Sequence, residues 1–229
     1  CFSYPAVVGK DLDAVLVRWT KGLSVPGVAG QAVGRLLRDA LSGRNAQPGP
    51  VVVLNDTVAA LLGGFYLAGG GKIYSDAIGL VAGTGTNLAS FFPAAKLGAK
   101  ARGREGRMAV NLESGNFHPP HLTSWDDDLD AGRADAGEQR LEKAVSGIFL
   151  PELYAFILRS GRRAEGGRDE RAGRTVAEMA RRAGSAPASE DGALAQSLLD
   201  RSAELLAACL SGLIDVLGPA GRTAIVAEG

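Results

Sequence analysis

One segment restricts the fold more than any other: the apolar run Ala77 to Ala82, the tight sequence Gly83-Thr84-Gly85-Thr86-Asn87, and the apolar return Leu88 to Phe92. Two runs of strand length joined by a glycine-rich turn predict a β-hairpin. The turn has a second property. Its glycines carry no side chain, so an anion could reach the main-chain N–H groups, with two threonine hydroxyls beside them. An ordinary glycine turn explains the same residues. The segment is neither a Walker loop, which ends in Lys-Ser/Thr, nor a dinucleotide fingerprint, which needs a third glycine.

Around the hairpin the chain alternates periods. Val33, Leu36, Leu37, Ala40 and Leu41 recur at helical spacing, with Arg35, Arg38 and Asp39 on the wet face. Pro50 to Leu54 is an apolar run of the buried-strand type, and Asn55-Asp56-Thr57 opens a helical stretch, Val58 to Leu67, that glycines 69 to 71 end. Residues 1 to 5 suit a strand end running into a loop. Residues 96 to 107 predict a solvated loop, Met108 to Leu112 a strand ending at Glu113, and 117 to 136 a long surface loop. A helix from Gly137 should turn Leu141, Ala144, Val145 and Ile148 to one face, and Pro151 should kink or divide it. Residues 161 to 174 have charges and glycines without apolar period, which predicts an exposed insertion. A long helix from Leu194 to Leu217, with Leu198, Ser202, Leu205, Cys209, Leu213 and Val216 inward, is stopped by Gly218-Pro219, and Thr223 to Ala227 adds a strand. Strands and helices mixed in this way define an α/β class with a mixed sheet.

Composition narrows the function. The 229 residues carry 25 basic and 25 acidic side chains, a net charge of zero. A chain without a basic field is a poor nonspecific nucleic-acid binder, because such binding releases phosphate counterions through Lys and Arg. The longest apolar stretch, Val58 to Ala68, is broken by Gly63 and Gly64 and falls short of the roughly 18 residues that cross a bilayer. Cys1 and Cys209 are too few for a disulfide framework and suit a reducing compartment. His118 and His121 lack further ligands at regular spacing, so no metal site is expected. No GxSxG elbow or Cys–His pairing is present, which disfavours hydrolysis by a triad.

Asp56 stands where an apolar run gives way to a helix, the place where α/β proteins expose reactive groups. A carboxylate there can take a proton from an alcohol, although helix capping explains it too. Thr20-Lys21 follows an Arg-Trp pair, and the lysine could neutralise a phosphate, hydrogen-bond a sugar hydroxyl, or stand solvated in its loop. Glu113 and Glu142 could accept hydrogen bonds from hydroxyls, although an acid near a helix start also answers the macrodipole. Carboxylates, amides and hydroxyls at element ends, with one Gly/Thr turn, are the groups that polyol recognition with phosphoryl transfer uses.

Several segments follow one another in a telling order: Phe2-Ser3-Tyr4-Pro5, Trp19-Thr20-Lys21-Gly22, Val53-Leu54-Asn55-Asp56-Thr57-Val58 and Gly83-Thr84-Gly85-Thr86-Asn87. After them come Gly106-Arg107-Met108-Ala109-Val110-Asn111-Leu112-Glu113, Gly115-Asn116-Phe117, and Gly137-Glu138-Gln139-Arg140-Leu141-Glu142-Lys143 leading into Ser146-Gly147. In this order and spacing they resemble the hexokinase family, most closely its plant-type members, over residues 1 to 158 and more loosely over 194 to 217. The resemblance implies an α/β, actin-like (ribonuclease H-like) two-lobe sugar kinase fold, incomplete in this chain. Residues 1–54 would be a partial small lobe and 55–229 the large lobe, with 160–192 an irregular insertion.

It further implies ATP-dependent phosphorylation of glucose or a related hexose at the 6-hydroxyl, the first step of glycolysis. ATP and Mg2+, the latter held through the nucleotide phosphates, would be the cofactors. Asp56 matches the family's catalytic base. Ser3, Tyr4, Pro5, Thr20, Lys21, Asn55, Asn87, Glu113, Gln139 and Glu142 match the hexose-binding positions, together with Asp56 itself. Gly83, Thr84 and Gly85 match the second phosphate-binding loop. A cytoplasmic protein is implied, or one at a plastid or mitochondrial surface.

Some features depart from that pattern. The family's first phosphate loop belongs upstream of Cys1 and its adenosine-binding glycine segment downstream of Gly229, so the 229 residues by themselves are expected to have little or no kinase activity. Ser114 stands where tryptophan is common beside the glutamate, Glu228 where aspartate is usual, and Pro151 where glycine is common. These departures open a second reading, a catalytically weak hexose-binding sensor or regulator on the same fold. A third reading, another actin-fold sugar kinase or ATPase, is opposed by the intact Asn-Asp-Thr and Leu-Glu-Lys segments.

Overall fold

The structure is a computed structural model that describes all residues except 1, 3, 20–23, 45, 46, 163–174, 219 and 220. The chain divides into two compact units, Cys1–Ala59 and Ala60–Gly229. The division falls inside helix α2 (Asp56–Leu67).

In the first unit, β1 (Ala6–Val8) and β2 (Ala14–Leu16) pair antiparallel, with Ala6 opposite Leu16. Ala14 and Leu16 are buried while Val15 is exposed, as the two-residue period of a strand requires. Helix α1 (Val33–Ser42) forms as its spacing predicts, but Leu36 and Leu37 of its apolar face stay exposed and Gly34 is its buried position. Its N-cap residue, Ala32, has no capping side chain. The cap comes from Asp13, whose carboxylate accepts from the N–H groups of Gly34 at 2.7 Å and Arg35 at 2.9 Å. Those are the second and third helical positions, the donors a capping oxygen normally satisfies. A Cβ at Gly34 would lie 2.6 Å from the same carboxylate, so only glycine lets the contact form.

The strand expected over Pro50 to Leu54 is absent. Val53 donates to Leu12 at 2.8 Å and Leu54 accepts from Phe2 at 2.9 Å, but these single bonds build no ladder and Val52 is exposed. Residues 2, 4 and 5 likewise precede a strand and belong to none.

The second unit is built on a sheet of order β5-β4-β3-β6, from β3 (Asp76–Ala82), β4 (Thr86–Pro93), β5 (Arg107–Asn111) and β6 (Thr223–Glu228). The β3–β4 and β4–β5 pairs are antiparallel and the β3–β6 pair is parallel. Ile78, Leu80, Leu88 and Phe92 share one face, where Leu206, Cys209, Leu213 and Leu217 of α7 (Glu190–Leu217) pack on them. Phe91 and Val226 point to the other face and meet α2: Phe65 packs at a tilt on Phe91 with centroids 5.2 Å apart, and a Cβ at Gly64 would lie 2.2 Å from Val226. Covered on both faces, β3 carries the continuous apolar run that buried strands show.

The remaining helices are α3 (Ser124–Ala131), α4 (Arg140–Val145), α5 (Leu150–Arg162) and α6 (Val176–Ser185). Tyr154, Leu153, Met179, Ala195 and Leu198 make a fully buried core between α5, α6 and α7. The loop expected over 117 to 136 contains α3, started by a capping box between Thr123 and Asp126. The loop over 96 to 107 contains the short 3-10 turn Gly98–Ala101, and another, Ala94–Lys96, runs into its start. The helix expected from Gly137 begins at Arg140 and ends at Val145, with Ile148 exposed beyond it. The interval 160–192 holds the end of α5, all of α6 and the start of α7, so its described part is helical and not irregular.

Pro151 does divide the helices, sitting in the first turn of α5 where its missing N–H is harmless. Helix α7 starts earlier than expected, at the Ser189 cap, and ends at left-handed Gly218. Val216 is exposed and not inward. Among the described residues no helix is long and apolar enough to cross a membrane.

The Asp13 cap carries a pH signature. Burial works against the charged carboxylate, but the N–H groups of Ala14, Gly34 and Arg35 outweigh it and hold the pKa below the ordinary 3.8. A depressed carboxylate contributes stability above its unfolded pKa and loses it as pH falls through the folded value. Acid titration of unfolding should therefore show a loss below about pH 3.8 in the native chain. Asp13→Asn should be less stable at neutral pH and flatter in acid, and coincident pH profiles for the two proteins would contradict this.

Candidate functional site

In the second unit the candidate residues gather at one edge of the sheet. Strand β3 ends there at Ala82 and β4 begins at Thr86, paired to each other, so Gly83-Thr84-Gly85 is the connecting turn. Its shape is clamped from outside. Gly147 donates to the Gly83 carbonyl at 2.7 Å, Ile148 to that of Thr84 at 3.3 Å, and Gly83 to that of Gly85 at 3.0 Å. The first glycine after α4 thus grips the turn. A Cβ at Gly147 would lie 2.8 Å from the Gly83 oxygen, a backbone atom that cannot swing aside.

Glu142, in α4, reaches the same edge, where its carboxylate accepts from the Thr86 N–H at 3.2 Å. Cβ atoms at Gly85 and Gly115 would sit 3.1 and 3.2 Å from that carboxylate, so both glycines make room for it. Asn87 accepts from the N–H groups of Leu88 at 2.8 Å and Ser114 at 3.1 Å and donates to Asn111 at 2.6 Å. Asn111 in turn donates to Glu113 at 2.5 Å. The Ser114 hydroxyl is buried with no partner among the described residues.

Two of the expected hexose ligands have backbones in the left-handed region, Glu113 at φ 50° and Gln139 at φ 51°. Such conformations cost of order 1 kcal/mol or more for a residue with a Cβ and persist only where surroundings enforce them. For Gln139 the enforcing structure is an ion network. Asp130 at the end of α3 accepts from Gly137 N–H at 2.7 Å, from Lys143 at 2.6 Å and from Arg140 at 2.6 Å. Arg140 also pairs with Asp127, Lys143 also reaches the Asp135 carbonyl at 2.7 Å, and Arg133 binds Asp135 and Glu152. Burial disfavours the Asp130 charge, but Lys143, Gly137 and Arg140 more than offset it and hold the pKa at about 2. The loop before Gln139 and the helix that carries Glu142 are thereby tied to α3.

The first unit places the remaining candidates. Asn55 caps α2, its side chain accepting from Val58 N–H at 3.2 Å and its carbonyl from Ala59 at 2.9 Å. Asp56 is therefore not the cap. It occupies the first helical position, with its carboxylate accepting from the Thr57 N–H at 2.8 Å and hydroxyl at 3.3 Å. Tyr4 packs edge-on against Trp19 at 4.9 Å, and Pro5 accepts from Val17 at 2.8 Å. Ser3, Thr20 and Lys21 lie outside the described residues.

Nothing in the motif that contains Asn111 assigns that residue a role. Its signal was a polar residue ending an otherwise apolar strand, two before Glu113. The Asp130 network was missed because its members lie on different elements. Burial pushes the Cys209 thiol pKa up, which suits packing more than reactivity.

The turn is held by hydrogen bonds and offers only the exposed Thr84 as side-chain bulk, the open main chain that an anion site requires. Among the described residues no group of three or more His, Cys, Asp or Glu is placed to hold a metal ion. A mixed sheet covered by helices on both faces, with carboxylates and amides around a hydrogen-bonded Gly/Thr turn at one edge, is the sugar-kinase class of actin-like α/β fold.

Two family models, both described as hexokinase, match residues 1–66 and 77–173. The chain is 34% identical over 162 residues to Hexokinase-3 of Arabidopsis thaliana, covering 69% of this chain and 31% of that protein. It is 36% identical over 162 residues to the hexokinase of Schistosoma mansoni, covering 69% of this chain and 35% of that one. The solved hexokinase from Schistosoma mansoni complexed with glucose superposes on 100% of this chain and 58% of its own, with TM-score 0.76 at 26% identity. A second solved hexokinase gives TM-score 0.80 at 26% identity over 100% of this chain and 56% of its own. The chain thus spans about a third of the length of the curated relatives it matches. It belongs to the hexokinase family.

Gly147→Ala should destabilise the second unit by about 1–3 kcal/mol, the usual cost of overpacking a tight contact. Denaturant unfolding checks this, and an unchanged midpoint would mean that the clamp on the turn is slack.

Proposed function

We propose that the protein transfers the terminal phosphoryl group of ATP to the 6-hydroxyl of glucose or a related hexose. The observation that carries this reading is the convergence of Asn87, Glu113 and Glu142 beside the clamped Gly83-Thr84-Gly85 turn. Carboxylates and amides are acceptors and donors for sugar hydroxyls, and a site built to pair them discriminates against sugars that lack one. The glucose held by the solved Schistosoma mansoni relative supports a hexose as the ligand.

Asp56 is assigned the base. With Asn55 satisfying the helix end, the Asp56 carboxylate stands at the positive start of α2, accepting from Thr57. In the transfer, the sugar oxygen gives its proton to Asp56 as the new oxygen–phosphorus bond forms, and the bond to the leaving ADP oxygen breaks with its electron pair. The residues around the Gly83-Thr84-Gly85 turn would meet the nucleotide phosphates, and magnesium brought in with the nucleotide would supply charge neutralisation for the leaving group. Gly83, Thr84 and Gly85 are assigned to the phosphates, and Tyr4, Pro5, Asn55 and Gln139 to the hexose side, with Ser3, Thr20 and Lys21 proposed from the family pattern alone.

In the full protein, Asp56→Ala should lower kcat by on the order of 10²–10⁴, the usual contribution of a general base, with the KM for glucose within a few-fold. A coupled glucose-6-phosphate assay measures it. Near-normal turnover would remove Asp56 from the mechanism.

A further inference from the structure

We propose that Asn111 is a positioning residue for the hexose, coupling the two ligands Asn87 and Glu113 through a hydrogen-bond chain of fixed direction. The inference rests on the hexose-kinase reading of this site. The chain's polarity follows from its fixed end. The Asn87 side-chain oxygen takes the N–H groups of Leu88 at 2.8 Å and Ser114 at 3.1 Å. Main-chain N–H groups only donate, so that amide cannot be reversed and its Nδ2 must face Asn111. It donates to the Asn111 Oδ1 at 2.6 Å.

With its oxygen committed, Asn111 has its Nδ2 turned to Glu113, where it donates to Oε1 at 2.5 Å. A carboxylate accepts and does not donate, so the chain ends there. Each bond is of the only polarity the previous one allows.

Position 111 therefore needs an acceptor and a donor on one short side chain. Aspartate supplies only acceptors when ionised, and leucine neither. The Glu113 backbone adds a second demand. At φ 50° it turns the chain left-handed directly after β5, and its own N–H lies 3.5 Å from the Asn111 oxygen. The Asn111 amide thus occupies one Glu113 oxygen and holds the strained residue in the orientation in which the other oxygen meets a sugar hydroxyl.

Asn111→Asp is the diagnostic variant. It keeps size and the acceptor for Asn87, but it sets a second carboxylate against Glu113. The two charges repel and Glu113 is driven from its orientation, and because Glu113 is exposed, added salt screens that repulsion. Glu142 on α4, held by the Thr86 N–H, is the other acidic group at this edge and is common to both proteins. Arg140 and Lys143 of α4 are engaged by Asp127, Asp130 and Asp135.

Glucose calorimetry on the full protein should show the variant weaker by about tenfold at low salt, the scale of one charge-assisted hydrogen bond, and partly recovered at about 1 M salt, where the screening length falls to about 3 Å. The wild type should change little over that range. Asn111→Leu, which can make neither bond, should lose affinity equally at both salt concentrations. Wild-type affinity in either variant at low salt, or a loss in Asn111→Asp that is the same at both salt concentrations, would overturn the proposal. Failure of the wild type itself to bind glucose would instead bring down the hexose reading on which it rests.

Discussion

The register of the β3–β4 hairpin is the constraint on which the second unit depends. Pairing Ala82 with Thr86 leaves a turn of Gly83, Thr84 and Gly85 and sets Leu80 and Leu88 side by side under α7. A slip of one residue would invert every side chain of β4, turning Leu88 away from the core and carrying Asn87 to the opposite face. Side-chain bonds pin the register against that slip. The Thr86 hydroxyl donates to the Val81 carbonyl at 3.0 Å, and the buried Ser90 hydroxyl donates to that of Ala77 at 2.7 Å. The same pairing therefore produces the core, the turn and the placement of Asn87, the first residue proposed for the hexose.

What is added to the hairpin is a second set of supports from outside the sheet. Helix α4 contributes Glu142 to Thr86, and the glycine that follows it closes on Gly83. That helix has only six residues, too few to stand on its own propensity. It is held by Leu141, Ala144 and Val145 against α7 and by the ions around Asp130. Because the Asp130 carboxylate is depressed to about 2 from an ordinary 3.8, its contribution to stability is complete above 3.8 and disappears as pH falls toward 2. The network is intact throughout the neutral range in which a phosphoryl transfer with a carboxylate base would run.

Which parts of this were legible follows from how local each signal is. The hairpin, α1, α7 and the β6 strand were readable because turn glycines, apolar spacing and the Gly218 stop lie within one element. Pro50 to Leu54 misled, since an apolar run predicts burial and not the presence of a strand partner; it gains isolated bonds to Leu12 and Phe2 and no ladder. Helix α3 was hidden by its composition: Asp126, Asp127, Asp128 and Asp130 look like a solvated loop, but two of them are buried as ion-pair anchors for Arg201, Arg140 and Lys143. Val216 and Ile148 fit a periodic face and are exposed, Ile148 because α4 ends at Val145 before reaching it and Val216 in the last turn of α7. The site residues came from the order of motifs, whereas Asn111 could be recognised only once Asn87 and Glu113 were seen on either side of it.

The central claim is that the sheet edge formed by residues 86–88 and 111–114 receives the hydroxyls of a hexose. Amide chemical-shift mapping of the full protein during a glucose titration tests it most directly. The largest perturbations are expected at the N–H groups of Thr86, Leu88 and Ser114, which are bonded to Glu142 and Asn87 and report any change in those side chains. Saturable binding that leaves these three amides unmoved would contradict the account.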